Sequence, residues 1–216
     1  MSPAPTRVAI VDDHEMFVDL LSQRLALEPD IEIVATAGSG RAALESIPSN
    51  TDVVVCDHHL PDTDGVTLAG ELLAATPSTQ VVMLTQSRDD TVLIRAISAG
   101  CCGFVSKTAP LDEVTLAIRA AAAGEATISQ QELAQVVDRV AASANVSDPL
   151  TPREHDVLEQ MATGRSNQEI ADTLYVAVDT TRNHVSSILR KLDSHSKLQA
   201  VVTAARRGLI DLRDDR

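Results

Sequence analysis

Asp12-Asp13, Asp57, Thr85 and Lys107 each stand at the end of a short strand-like run. Three carboxylates, a hydroxyl and an ammonium would thus emerge where buried strands end. A carboxylate is costly to bury unpaired, so each must face solvent, a cation or a substrate. Close together, the carboxylates repel one another until a cation joins them. Oxygen donors of this kind suit Mg²⁺, which keeps several waters and takes one or two carboxylates. A lysine and a hydroxyl opposite them suit phosphoryl oxygens. The chemistry this set could perform is phosphoryl transfer to a carboxylate nucleophile. A lone Asp after a strand is ordinarily a turn or cap residue; five groups at successive strand ends are harder to assign to chance.

The elements that must position these groups are legible in the apolar pattern. Arg7–Val11, Ile31–Thr36, Asp52–Cys56, Gln80–Leu84 and Cys102–Ser106 read as strands. The first, third and fourth are near-continuously apolar, as expected when helices cover both faces of a sheet. Helical patterns follow each, near 14–27, 39–47, 65–75, 89–99 and 110–123. Five βα units predict a parallel, doubly wound sheet. Ligands of such sheets bind at the carboxyl ends of the strands, where strand order reverses.

From residue 150 the pattern is helical only. Thr151-Pro152-Arg153-Glu154 and Ser166-Asn167-Gln168-Glu169 both have capping-box spacing. Helices are expected near 151–163, 166–174, 178–191 and 195–207, an all-α domain of four short helices. Between the two parts, Ser129-Gln130-Gln131-Glu132 predicts a linker helix near 129–142, and 145–149 reads as a joint.

Charge divides the same way. The chain of 216 residues carries a formal net charge of −13, all of it within residues 1–148, while residues 149–216 balance to zero. That argues against non-specific nucleic-acid binding by the whole chain and leaves a local basic face open in the second part. With two Phe, one Tyr and no Trp, the core must be aliphatic. No apolar run approaches the roughly 18 residues of a membrane span, and the N-terminus has no signal-peptide pattern, so a cytoplasmic protein is expected. Cys56, Cys101 and Cys102 lack zinc-ligand spacing. They read as small core residues rather than a redox sensor.

The motifs Val11-Asp12-Asp13-His14, Asp57-x-x-Leu60-Pro61-x-x-Asp64-Gly65, Val82-Met83-Leu84-Thr85 and Gly103-Phe104-Val105-Ser106-Lys107 resemble the receiver domain of two-component response regulators. The resemblance covers residues 6–123 and implies a flavodoxin-like fold. It implies that Asp57 accepts a phosphoryl group from a sensor histidine kinase. It further implies that Asp13, Asp57 and the backbone carbonyl of His59 hold Mg²⁺, with Asp12 acting through water. Thr85 would bind a phosphoryl oxygen, Lys107 would pair with the phosphate, and Phe104 would be the reorienting aromatic. Departures surround the acceptor. Gln86 is larger than the residue often found there and implies slow loss of the phosphoryl group. His58 and His59 are unusual neighbours, expected to point apart and to face a partner surface.

After a linker at 124–148, residues 149–212 resemble the LuxR-type helix-turn-helix domain. Leu150-Thr151-Pro152-Arg153-Glu154, Gly164-Arg165-Ser166-Asn167-Gln168-Glu169-Ile170-Ala171, Thr180-Thr181-Arg182-Asn183-His184-Val185 and Leu189-Arg190-Lys191-Leu192 carry the likeness. Receiver and reader together resemble the NarL/FixJ group of transcriptional regulators rather than an enzyme. On the recognition helix, Val178, Val185, Ile188, Leu189 and Leu192 form the expected inward stripe. Arg182, Asn183, Ser186 and Arg190 lie elsewhere, and Arg and Asn are the side chains that read guanine and adenine edges. Lys191, Arg165 and Lys197 are candidate phosphate contacts. Ala177 stands where a capping Ser is usual, with Asp179 as a substitute cap, and Asp193 stands where Gly is usual. Leu198, Val201, Val202 and Ala205 on the last helix would pack partly on the core and partly in a two-fold dimer contact. The expected partners are the kinase, double-stranded DNA with paired half-sites, and a second copy when active; no membrane is implied.

A competing likeness joins Asp62-Thr63-Asp64-Gly65-Val66-Thr67 to the nucleophile loop of haloacid-dehalogenase-type phosphatases. That loop should follow a strand directly, and here His58-His59-Leu60-Pro61 intervene.

Overall fold

A computed structural model describes residues 4–86, 90–126, 128, 133 and 150–210. The expected linker helix near 129–142 and the joint at 145–149 lie outside these residues, apart from Leu133. The chain divides into two compact units, Met1–Thr127 and Ile128–Arg216.

The first unit alternates strands and helices: β1 (Thr6–Val11), α1 (Glu15–Leu25), β2 (Ile31–Ala37), α2 (Gly40–Ser46), β3 (Val53–Asp57), α3 (Gly65–Ala75), β4 (Gln80–Thr85), α4 (Asp90–Ala99), β5 (Gly103–Ser106) and α5 (Leu111–Ala122). The strands form one parallel sheet in the order β2-β1-β3-β4-β5. Alternate residues along each strand feed opposite faces. Val8, Ile10, Val53, Val55, Val82 and Leu84 pack under α1 and α5. Ala9, Val11, Val54, Cys56, Val81 and Met83 pack under α2, α3 and α4. Burial on both faces is why β3 is apolar at every position before Asp57. Edge strand β2, by contrast, mixes buried and exposed residues.

All three cysteines are free and buried. Burial raises the thiol pKa of each, that of Cys102 to about 12. Inert thiols of this kind fit the core role rather than redox sensing.

The second unit is helical: α6 (Pro152–Ala162), α7 (Asn167–Leu174), α8 (Val178–Leu192) and α9 (Lys197–Arg206). Both expected capping boxes form, at Thr151 with Glu154 and at Ser166 with Glu169. The core joins Val157, Leu158 and Met161 of α6 with Ile170 of α7, Val185, Ile188 and Leu192 of α8, and Leu198, Val201 and Val202 of α9.

Four details differ from the sequence reading. Thr181 is fully buried while Val178 and Leu189 are only partly covered, so the inward face of α8 is rotated slightly from the expected stripe. Asp179 does not shift the helix start: α8 begins at Val178, and Ala177 caps it without a side-chain bond. Leu198, Val201, Val202 and Ala205 are all about 1% exposed. None of these four is therefore left on the surface to form the apolar dimer contact expected on α9. Finally, Tyr175 adopts the left-handed conformation at the end of α7, which sequence did not signal; Asp193 does so at the end of α8, as its position suggested.

Candidate phosphoacceptor site and nucleic-acid interface

Strand order reverses between β1 and β3, and their last rungs pair Val11 with Cys56. The next residues, Asp12-Asp13 and Asp57, therefore leave the sheet side by side. Ligand atoms of Asp12, Asp13, His14 and Asp57 all lie within 4.8 Å of one another. The Asp12 and Asp57 side chains are closed off from solvent, whereas Asp13 is 38% exposed.

Lys107 enters from the far side, after β5. Its backbone N–H donates to the Thr85 carbonyl at 2.8 Å. Its ammonium stands 2.7 Å from Asp12 Oδ2 and 2.8 Å from Asp57 Oδ2. Both are charge–charge contacts without hydrogen-bond alignment. Burial acts to lower the Lys107 pKa, but the two carboxylates outweigh it and the net direction is up. The Phe17 ring lies 5.5 Å below the ammonium, a cation–π contact across elements that local sequence does not signal. Phe104, at the second position of β5, is partly buried against the α2–α4 face.

One atom in the pocket stands out. Asp57 Oδ1 is buried and has no hydrogen-bond partner among the described residues. Three carboxylates against one ammonium leave the pocket negative, with a bare oxygen at its base. That donor set fits a hard divalent cation, which would supply the missing charge and coordinate the orphaned oxygen. His14 closes the rim: its backbone N–H donates to Asp12 Oδ1 at 2.9 Å, and its ring Nδ1 lies 2.8 Å from Asp13 Oδ1.

The loop after β3 is fastened by its own acids. Asp62 accepts from the backbone N–H groups of Gly40 and Arg41 at 2.8 and 2.9 Å. Those two bonds, Arg41 first, lower its pKa. Asp64 caps α3 by accepting from Val66, and its other oxygen takes Arg95 of α4 at 2.7 Å. Both acids of the phosphatase-like motif are thus engaged in structure. Gly65 donates to the His58 carbonyl at 2.8 Å, and no side chain fits there: a Cβ would lie 2.0 Å from the Asp57 carbonyl oxygen. The histidine rings do not diverge as expected. They meet edge to face with centroids 4.4 Å apart. Burial lowers the His58 pKa, partly opposed by Asp64. Gln86 is exposed.

In the helical unit, Arg182, Asn183, Ser186 and Arg190 are all exposed on α8. At about 100° per residue they share one arc of the helix. Lys191 lies aside, its ammonium 2.6 Å from Glu154 Oε2, and Arg165 bonds Gln160 and Thr173. Lys197 departs from the expectation of a phosphate contact: it is 5% exposed and its ammonium donates to the Arg165 carbonyl.

Local sequence does not signal Glu154 as an organiser, because its partners lie 33 and 37 residues away. It is 4% exposed, accepts from Ser187 and Lys191 of α8, and completes the Thr151 capping box. Burial opposes its charge, yet Lys191, Thr151 and Ser187 hold its pKa down at about 2. Its ionised form therefore stabilises the folded unit fully above the unfolded carboxyl range, and that contribution is lost as pH falls through about 2. Glu154→Gln is expected to destabilise the helical unit at neutral pH by about 1–3 kcal/mol. It should also flatten the acid limb between the two pKa values, read by circular dichroism against pH.

Comparison with known proteins agrees with this geometry. Residues 8–119 match the response regulator receiver domain, and residues 148–204 match the bacterial regulatory proteins of the luxR family. Receiver plus helix-turn-helix reader defines the class, a two-component response regulator with a DNA-binding output. Within it, the chain belongs to the NarL/FixJ group of response regulator transcription factors. It is similar to the response regulator protein VraR of Staphylococcus aureus, at 33% identity over 205 residues, covering 94% of this chain and 98% of VraR. The crystal structure of the response regulator ChrA, of a heme-sensing two-component system, aligns with a TM-score of 0.51 at 29% identity, covering 96% of this chain and all of ChrA. A complex of the response regulator RcsB with DNA aligns with a TM-score of 0.55 at 20% identity, covering 94% and 98% of the two chains, a likeness of fold. Receiver domains bind Mg²⁺ at an acidic pocket, and Asp12, Asp13, His14 and Asp57 form an acid-rich group here. Among the described residues, no helix is long and apolar enough to cross a membrane.

Proposed function

We propose that Asp57 is the phosphoacceptor and that its modification controls dimerisation and sequence-specific DNA binding. The observation that carries this is the state of the Asp57 carboxylate: one oxygen 2.8 Å from Lys107, the other buried and bare. In the transfer, the P–N bond of a kinase phosphohistidine breaks and a P–O bond to Asp57 forms. Lys107 already sits beside the carboxylate, ready to pair with the added charge. Thr85, at the end of β4, supplies a hydroxyl for a phosphoryl oxygen. Asp13, Asp57 and the His59 carbonyl would hold Mg²⁺ directly, and Asp12 would act on it through water. Two findings favour that division: the Asp12 oxygens are engaged by Lys107 and His14, and the His58 carbonyl is taken by Gly65. Mg²⁺ supplies charge neutralisation at the phosphoryl group.

Phosphorylation adds charge and acceptor oxygens that draw Thr85 and Lys107 inward. Phe104, on the strand between them, reorients with that movement. The population then shifts toward a DNA-binding homodimer. Arg182, Asn183, Ser186 and Arg190 read base edges of paired half-sites, with Arg165 and Lys191 toward phosphates. Lys197 contributes only if its bond to Arg165 opens. The protein acts in the cytoplasm, downstream of a sensor histidine kinase, as a regulator rather than an enzyme.

Acetyl phosphate tests the acceptor directly. Mass spectrometry of the wild-type chain should show one phosphoryl group, labile and Mg²⁺-dependent, absent from Asp57→Ala. Equal labelling of that variant would refute the assignment.

A further inference from the structure

The exposed arc of α8 that carries Arg182, Asn183, Ser186 and Arg190 also carries an acid. Asp179 lies three residues before Arg182 and seven before Ser186, which at 3.6 residues per turn puts it in the middle of the same arc. Its side chain is 87% exposed, so within the helical unit it is open to a DNA groove. A carboxylate there faces the most negative surface a protein meets, and on electrostatic grounds alone it opposes binding.

Its contact gives it a use. Asp179 Oδ1 accepts from Arg182 Nη1 at 2.9 Å. The other guanidinium donors of Arg182 have no protein partner among the described residues. A guanidinium is a rigid planar fork. Fixing one nitrogen from below limits the directions in which the remaining N–H groups can point. A bidentate contact to guanine O6 and N7 needs such a fixed plane. An unfixed arginine at this exposed position would instead swing to the nearest phosphate, which adds affinity without sequence information.

We propose that Asp179 is a specificity-determining residue of the DNA reader, holding Arg182 in the pose that addresses a guanine edge and withholding it from the phosphate backbone. The inference rests on the reading of Arg182 as a base-contacting residue. Its cost is weaker binding to all DNA; its gain is discrimination.

A purely structural role is the competing explanation. Asp179 lies in the first turn of a helix whose cap, Ala177, makes no side-chain bond, and an acid there favours the helix dipole. The test separates the two. The probe is a duplex selected by the wild-type full-length protein from a random pool, together with single-base-pair variants of it and an unrelated duplex. Affinities are measured at several salt concentrations for wild type, Asp179→Ala, Asp179→Ala with Ala177→Ser to restore a cap, Arg182→Ala, and the Asp179→Ala/Arg182→Ala double variant.

With the cap restored, loss of Asp179 should tighten binding to the unrelated duplex. It should also steepen the log–log salt dependence by about one unit, as one more phosphate is engaged. Discrimination at a single guanine position should fall about tenfold. Arg182→Ala should lose discrimination at that same position, and the double variant no more. Unchanged discrimination in the capped Asp179→Ala protein would overturn the proposal, as would weaker binding to every duplex alike. An equal Asp179 effect with Arg182 absent would also overturn it, pointing to a direct cytosine contact. If Arg182→Ala itself keeps discrimination at every position, the underlying reading of Arg182 fails, visibly and separately.

Discussion

Gly65→Ala is expected to destabilise the receiver and to weaken its hold on Mg²⁺ together. The added Cβ would sit 2.0 Å from the Asp57 carbonyl oxygen and 2.9 Å from His58 Cα. Both obstacles are backbone, so no side-chain rotation relieves the clash. The start of α3 must move away from the end of β3, and the Gly65 bond to the His58 carbonyl stretches with it. Overpacking of this sort costs about 1–3 kcal/mol, occasionally more. The same displacement shifts Asp57 and the loop carbonyl at His59, two of the proposed ligands. Denaturant unfolding should show a lower midpoint, and calorimetric titration a Mg²⁺ affinity reduced tenfold or more. A variant with unaltered midpoint and affinity would show that the loop has room the structure denies it.

The second large effect is at Lys107. Its ammonium is the sole Lys or Arg charge beside the closed-off Asp12 and Asp57 carboxylates among the described residues. Lys107→Ala leaves two buried carboxylates facing each other without a counter-charge. Breaking a buried ion pair from one side costs about 3–5 kcal/mol. A divalent cation held by the Asp57 carboxylate would make up part of the lost charge, and binding to the folded state alone stabilises it by mass action. The variant should therefore be much less stable than wild type in chelator, with a considerably smaller deficit at saturating Mg²⁺. A deficit that is identical with and without Mg²⁺ would mean that metal and lysine do not share these carboxylates.

The sheet and the residues at its carboxyl edge could be read from the chain because the signals are local. Strand ends are marked by a change from apolar to acidic residues, and Thr151-x-x-Glu154 and Ser166-x-x-Glu169 announce helix starts within four positions. What could not be read depends on chain segments far apart in sequence. Asp62 is fastened to α2 across 21 and 22 residues, Asp64 to Arg95 across 31, and Glu154 to Lys191 across 37. Each belongs to a loop or helix end whose partner is fixed only when the layers pack. Lys197 shows the same limit from the other side: a lysine at a helix start reads as a solvated charge until its carbonyl partner on Arg165 is brought to it. The inward face of α8 takes Thr181 rather than Leu189 because a rotation of a fraction of a turn exchanges them, and three neighbouring helices set that rotation.

The state of Asp57 should be felt at the DNA-reading helix. The direct measurement is the affinity of the full-length protein for a duplex it has selected from a random pool, at one fixed salt concentration, with and without acetyl phosphate. Wild type should bind tighter with acetyl phosphate, by about 5–150-fold for an ordinary coupling between two sites, and Asp57→Ala should not respond. Equal affinity of the wild type in both conditions, or the same gain in Asp57→Ala, would contradict it.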